Sequence, residues 1–494
     1  MSETPRHDDE LLSPKEQKAW REAADSKRKA IVYTIIGVIC VIVVAALLIW
    51  NSGFFQSRAV AMTVDGVEYT APQVNYFYRE IYNQYAYFGS VDTSTPLDEQ
   101  IYDEETGQTW DEFFRSYAEE SLTTLTVLYQ NAVAAGYSLT DEEIQAVEDE
   151  LTNYRVTAIS SGYSNLNSYL RAAYGPYMTA DIFREMLQMQ ILATNYYNDQ
   201  QESYSYSQDE LEAYYDEHSD ELDTFVHNTC FISGDVEYYD TEDEEEAMTQ
   251  AKELADAMAA DLEAGGDFAQ LAQQYTEGQS NPNIYTDLAV PGSQLSSLYG
   301  SWLQDTARES GDVTVMESSA GTGYFVVQFM DRYLLTSDTV DLRHILIRAE
   351  VDDGADAPTQ AQMDAAREEA EELLATWQSG EATEDSFAEL ANANSDDTGS
   401  NTNGGYYNAY RGQMIANFDS WIFDPARQPG DVGIVENDTE GSQGYHIIYY
   451  IGTDDPYWMQ QADDALRTED VGAWLEELTA DVTVEQGSGM QYVG

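Results

Sequence analysis

From Ile31 to Trp50 the chain runs for twenty residues without a charge, and beyond that run its hydrophobic positions switch between two periods. As a helix rising about 1.5 Å per residue, the run spans roughly the 30 Å hydrocarbon layer of a bilayer. Val60 to Thr70 then alternates about Asp65-Gly66, which predicts a short hairpin. From Ala71 to about Glu202 apolar and tyrosine positions recur at spacings of three and four, as at Leu122, Leu125, Leu128 and Tyr129. Thr140-Asp141-Glu142-Glu143 has the form of a helix cap with first-turn acids. Helices packed on helices are expected there. Ser207-Gln208-Asp209-Glu210-Leu211 opens a further helix, expected to end near Ser219.

Two stretches after that helix repeat one another. Asp223-Thr224-Phe225-Val226-His227-Asn228-Thr229-Cys230-Phe231-Ile232 aligns without gaps on Asp338-Thr339-Val340-Asp341-Leu342-Arg343-His344-Ile345-Leu346-Ile347. Phe268-Ala269-Gln270-Leu271-Ala272 matches Phe387-Ala388-Glu389-Leu390-Ala391, Trp302 matches Trp421, Gly311-Asp312-Val313 matches Gly430-Asp431-Val432, and Gly323-Tyr324-Phe325 pairs with Gly444-Tyr445-His446. Each copy reads strand, acidic helix, short helix, loop, helix, strand, an α+β unit of ordinary domain size. The acidic run Glu242 to Glu246 is read as a helix first turn. The tail from Asp455 predicts an amphipathic helix through Trp458, Leu466, Val471, Trp474 and Leu478, then a strand at Val482-Thr483-Val484.

Charge orients the apolar run. Seven bases, Arg6, Lys15, Lys18, Arg21, Lys27, Arg28 and Lys29, precede it, and Arg58 alone follows closely, which places the N-terminus in the cytoplasm. A cleaved signal peptide is the rival, since Ala59-Val60-Ala61 has the small-x-small form; the length of the run and the distance of that site favour a retained anchor. The net charge of −69 falls beyond the run, where 15 bases meet 84 acids. That field argues against nucleic acid and against lying flat on an anionic surface. Cys40 and Cys230 sit on either side of the membrane boundary, so no internal disulfide is expected. A chain exported without disulfides fits a single-membrane bacterium.

The second copy resembles the parvulin family of peptidyl-prolyl isomerases over its length, through Arg343-His344-Ile345-Leu346-Ile347, Phe387-Ala388-Glu389-Leu390-Ala391 with Ser395-Asp396-Asp397, Asn403-Gly404-Gly405, Arg411-Gly412-Gln413-Met414 with Phe418, Pro429-Gly430-Asp431 and Gly444-Tyr445-His446-Ile447-Ile448. The resemblance implies catalytic roles for His344, Asp397 and His446, and a proline pocket lined by Met414 and Phe418 with Tyr407 and Gln413. It implies no cofactor and no metal, since rotating a prolyl amide breaks no covalent bond. Between Gly405 and Arg411 the loop is one residue shorter than the family pattern, and Tyr407 stands where an apolar leucine aligns. In the first copy His344, Asp397 and His446 are replaced by Thr229, Gly278 and Phe325, so that copy is read as noncatalytic.

With the hairpin at Val64-Asp65-Gly66 and the aromatic helix after it, the whole is similar to extracytoplasmic foldases of the PrsA and SurA kind. The expected organisation is α+β: a cytoplasmic tail (1–30), a membrane helix (31–50), a chaperone-like domain (53–222), a degenerate parvulin-like domain (223–334), a parvulin-type domain (338–453), and a helix and strand (455–494) packed back on the N-terminal domain. Expected partners are unfolded secreted polypeptides with Xaa-Pro bonds, and the membrane through Ile31–Trp50. Competing readings are a holdase without turnover and a purely structural envelope protein. Tyr76, Tyr78, Tyr82, Tyr85 and Tyr87 suit either a peptide groove or core packing. Asp397, Asn401 and Asn403 are read as turn residues rather than a calcium loop.

Overall fold

The computed structural model describes residues 14–51, 53–280, 282–352, 354–355, 357–439 and 441–494; Arg6 of the basic flank lies outside them. The chain divides into two compact units, one running to Tyr204 and taking in Asp470–Gly494, the other Ser205–Glu469.

In the first unit, α1 (Pro14–Asn51) is a single helix whose apolar stretch, Ser26–Ala45, is long and apolar enough to cross a membrane. Strands β1 (Val60–Val64) and β2 (Val67–Thr70) form the expected hairpin. Asp65 and Gly66 both have positive φ, 45° and 78°, which gives the two-residue turn whose twist suits antiparallel strands. Thr70 then caps α2 (Ala71–Tyr87), its side chain and that of Gln73 forming a capping box. A small hairpin of β3 (Ile101–Asp103) and β4 (Gln108–Thr109) follows; it is too short to leave a periodic signal. Then come α3 (Trp110–Ala134), α4 (Asp141–Ser160), capped at Thr140, α5 (Leu166–Tyr174) and α6 (Ala180–Ser203). Their apolar stripes meet around Phe114, Leu122, Leu170, Phe183 and Met186, all buried. Tyr76 and Tyr78 belong to this core, Tyr82 and Tyr85 pack against it, and Tyr87 is 86% exposed. The tyrosines therefore divide between core and surface.

The second unit opens with α7 (Gln208–Leu222), which leaves helical geometry at His218 and runs on past Ser219. This helix belongs to the second unit, which corrects the expected domain limit at 222. The first repeat comprises β5 (Thr224–Ser233), α8 (Glu244–Glu263), α9 (Phe268–Tyr275), β6 (Tyr285–Pro291), α10 (Gly300–Leu303), β7 (Val313–Glu317) and β8 (Gly323–Tyr333). Asp243 caps α8, and Glu244, Glu245 and Glu246 fill its first turn. The second repeat comprises β9 (Asp338–Arg348), α11 (Gln360–Ser379), α12 (Glu384–Asn394), β10 (Tyr406–Ala409), α13 (Ala416–Ile422), β11 (Val432–Asn437) and β12 (Gly444–Pro456). The two sheets have equivalent strand orders, β6-β5-β8-β7 and β10-β9-β12-β11.

In the second repeat, strand alternation sends Ile345, Ile347, Tyr445 and Ile447 to one face, where Met363 and Ala370 of α11 and Phe387 of α12 cover them. Val340, Leu342 and Ile448 face the other way, toward Phe418 and Ile422 of α13. Helix α14 (Tyr457–Thr479) is the expected tail helix, but it does not pack wholly on the N-terminal unit. Its Trp458 and Ala462 pack with Leu211 and Leu222 of α7 in the second unit, and only Asp470 onward belongs to the first. The terminal strand β13 lies at Val484–Gln486, two residues beyond the expected start, and pairs with β1 as Val64↔Val484 and Met62↔Gln486.

The turn before β10 depends on Gly405. Its φ is +70°, and a Cβ there would stand 2.1 Å from the His344 carbonyl oxygen. The His344 N–H donates to the Gly405 carbonyl at 2.8 Å. Gly405→Ala is expected to destabilise the second repeat by more than about 2 kcal/mol, from left-handed strain with a backbone clash added. A drop in the urea midpoint read on Trp377 and Trp421 would show this; an unchanged midpoint would refute it.

Candidate active site

Register brings the site together. In β9 and β12 His446 pairs with Leu346 and His344 with Ile448, so the two histidines are diagonal neighbours on the face turned toward α13. Their Nδ1 atoms are 3.0 Å apart. His344 Nε2 lies 3.0 Å from Asp397 Oδ2. Asp397 is held in the loop after α12, where the Gly399 N–H and the Ser400 hydroxyl donate to its carboxylate at 3.1 and 2.6 Å, and the Asn401 N–H donates to its carbonyl. Asn401 and Asn403 shape this turn, Asn403 accepting from the Tyr406 N–H at 3.1 Å.

The directions of these hydrogen bonds follow from Asn437 on β11. Its Oδ1 accepts from the Thr439 N–H at 2.9 Å, which leaves the amide nitrogen to donate to His446 Nε2 at 3.1 Å. An accepting Nε2 puts the proton of neutral His446 on Nδ1, which donates to His344 Nδ1. That in turn leaves His344 protonated on Nε2, which donates to Asp397. One polarised chain therefore runs from amide to imidazole to imidazole to carboxylate.

Burial agrees with these charge states. His446 is pushed down to about 3, first by burial and then by His344 beside it, so it stays neutral. The carboxyl of Asp397 is held well below the usual carboxylate range, chiefly by its hydrogen bond with His344, with Ser400 and the Gly399 N–H adding to it.

Apolar and aromatic groups flank the chain. The Phe418 ring stands edge-on to both histidines, with centroids at 5.8 Å from His344 and 5.1 Å from His446. Met414 packs in the same cluster. Tyr407 also packs there, and its hydroxyl donates to Asp397 Oδ2 at 3.2 Å, so the residue in the leucine position adds a polar contact to the carboxylate. Gln413 departs from the expectation: it is exposed, and its Oε1 accepts from the Tyr410 N–H, closing a turn rather than lining the face. Ser400 and Asn437 join the network without having been singled out in the sequence. Asn437 shares a face with His446 only once the register of β11 on β12 is known, with Val435 opposite His446.

In the first repeat the same register holds different groups. Phe231 pairs with Phe325 where Leu346 pairs with His446, and the Phe231 and Phe325 rings are 4.9 Å apart. Thr229 stands in place of His344, buried, and Tyr299 joins Phe225, Leu303, Val327 and Phe329 in an apolar cluster. No ionisable pair corresponds to His344 and His446 at these positions.

Comparison with known proteins matches both repeats to a family described as the PPIC-type PPIASE domain, over residues 344–452 and 232–333. Two curated relatives are each named Chaperone SurA. The one from Pseudomonas aeruginosa is 28% identical over 269 residues, covering 48% of this chain and 55% of the relative. The other, from Chromohalobacter salexigens, is 28% identical over 248 residues, covering 48% and 51%. The chain therefore matches about half the length of each. Among solved structures, a peptidylprolyl isomerase (PrsA) from Bacillus cereus is 14% identical, covering 78% of this chain and 91% of that one, with a TM-score of 0.18.

The depressed His446 has a consequence for stability. Its folded value lies below the ordinary 6.5, so the unfolded chain takes up a proton that the folded chain refuses. The folded state bears no such penalty above about pH 6.5, and as pH falls toward 3 the penalty grows by up to about 1.4 kcal/mol per pH unit. Asp397 contributes in the same direction, but only below its ordinary 3.8. Urea midpoints of the second repeat should therefore fall from pH 7 to pH 5, and fall less in His446→Phe. Equal slopes in the two proteins would show that His446 is not held neutral.

Proposed function

We propose that this chain, which carries two parvulin-type peptidyl-prolyl isomerase domains and is related to the SurA and PrsA chaperones, is an extracytoplasmic foldase that isomerises Xaa-Pro bonds in unfolded exported polypeptides. Turnover is assigned to the second domain. The observation that carries this reading is the hydrogen-bonded Asp397–His344–His446 chain beside Met414 and Phe418 on one sheet face.

Prolyl isomerisation must give up amide resonance, a barrier of roughly 18–20 kcal/mol, and no bond to carbon is made or broken. An apolar wall of Phe418 and Met414 takes the pyrrolidine ring and removes water from around it. The twisted amide gathers electron density differently from the planar one, and groups fixed beforehand stabilise it without reorganising. Anionic Asp397 and neutral His446 set the direction of every proton in the chain, so His344 and His446 serve as oriented dipoles with no proton transfer. Tyr407 steadies the carboxylate.

In the first domain, Phe231, Phe325 and Tyr299 support a binding role without turnover, and the helical unit with its β13-completed sheet is assigned to holding clients. The apolar span of α1 is assigned as a retained single-pass anchor, with the N-terminus in the cytoplasm and the rest of the chain outside.

The full chain should accelerate cis–trans exchange of an Xaa-Pro tetrapeptide, and His344→Ala and Phe418→Ala should each lower kcat/KM at least about tenfold, a loss of about 1.4 kcal/mol of transition-state stabilisation. Exchange at the uncatalysed rate in the unsubstituted chain would refute the isomerase reading. If the same chain still suppresses aggregation of an unfolded client, the holdase reading stands in its place.

A further inference from the structure

Basic residues in this acidic chain are for the most part neutralised in pairs, as with Lys252 and Asp256, Arg332 and Asp223, Arg343 and Glu384, or Arg184 and Glu148. Among the described residues beyond α1, Arg58, Arg79, Arg155, Arg171 and Arg348 break that habit, and two of these, Arg58 and Arg171, line the same cleft. Arg58 lies over the Phe54 ring, 4.2 Å from its centroid, and donates to the Phe54 carbonyl. Arg171 stands in the last turn of α5. Among the described residues neither has a carboxylate within 4.0 Å. Where acids outnumber bases so heavily, two such guanidinium groups on the wall of one cleft are chemically conspicuous.

The cleft between them has a volume of about 850 Å³ and is also lined by Ser57, Gln73, Thr179 and Glu185. Its wall includes the start of α2 at Thr70 and of α6 at Thr179, two long helices whose positive dipole ends add to the arginines. Among the described residues Glu185 is the one acid on that wall. Ser57, Gln73 and Thr179 bring neutral hydrogen-bonding groups. Gly53 is also part of the wall, three residues after Trp50, so the covalent chain keeps it within about 10 Å of the end of the apolar run.

We propose that this cleft binds a phosphate group, through Arg58 and Arg171, at the surface of the membrane in which α1 is anchored. The location rests on the anchor reading above; the phosphate chemistry does not. A broad basic patch is denied to this protein by its net charge, but salt confines that field to about 8 Å, so two exposed arginines on one open cleft still select an anion. Guanidinium forks match phosphate oxygens in pairs, which a lone ammonium does not. The group can arrive as free phosphate or as the phosphodiester of a lipid headgroup.

Calorimetric titration of the full chain in nonionic detergent tests this, with inorganic phosphate in one arm and submicellar dihexanoyl phosphatidylglycerol in the other. Saturable binding is expected in at least one arm; binding of the lipid alone identifies the headgroup, and binding of phosphate identifies the free ion as sufficient. Arg58→Gln and Arg171→Gln should each weaken it at least tenfold, Glu185→Gln should strengthen it, and Arg367→Gln, in α11 of the second unit, should leave it unchanged. No saturable binding in either arm would overturn the proposal, as would binding that survives the Arg58→Gln/Arg171→Gln pair or falls equally in Arg367→Gln. The anchor reading is judged separately, by the mass of the chain isolated from cells: loss of the apolar run would refute it while leaving the affinity measurement intact.

Discussion

Antiparallel pairing of β9 with β12 in a single register is the constraint on which the candidate site depends. Side chains alternate across a sheet with period two, so a slip of one residue would carry His344 or His446 to the face covered by α11 and α12. Ile345, Ile347 and Ile447 prevent that slip, because the helices above them leave room for apolar side chains and no partner for an imidazole. The hydrophobic core of the domain thus aims the polar groups. Gly405, which lets the chain approach the His344 carbonyl, then brings the Asp397 loop and Tyr407 to the same face.

Within that frame the electrostatics are directional. Thr439 fixes the Asn437 amide, the amide fixes the His446 tautomer, and each step fixes the next until the chain ends on a carboxylate held by a hydroxyl and a backbone N–H. Buried polar groups are costly unless paired, and here His344, His446, Ser400 and Asn437 are all paired. The first domain shows the alternative solution for the same backbone. With Phe231 and Phe325 in register it fills the space with rings and keeps the sheet order while losing the polarised chain.

Much of this was legible in the sequence because the chain contains its own comparison. The two copies align through apolar strands and the Phe-Ala-x-Leu-Ala helix, both dictated by core packing; the parvulin resemblance implies His344, Asp397 and His446, and the alignment shows that the first copy lacks all three. The hairpin at Asp65-Gly66 and the cap at Thr140 were legible for a more local reason, since turn and cap chemistry is written in consecutive residues. Long-range pairings were not. Asn437 and Ser400 meet the histidines only through the register of β11 and the fold of a loop, Gln413 turns back on Tyr410, and α14 divides between two units although its amphipathic pattern runs unbroken.

The central claim, that turnover belongs to a polar chain present in one domain and absent from its twin, is tested most directly by giving the second domain the first domain's residues. Exchange spectroscopy on an Xaa-Pro tetrapeptide with the full chain carrying His344→Thr and His446→Phe measures this, with the fold checked by circular dichroism. The account predicts a folded protein whose exchange rate falls to that of the free peptide. A folded double variant that still isomerises at the rate of the unsubstituted chain would contradict it.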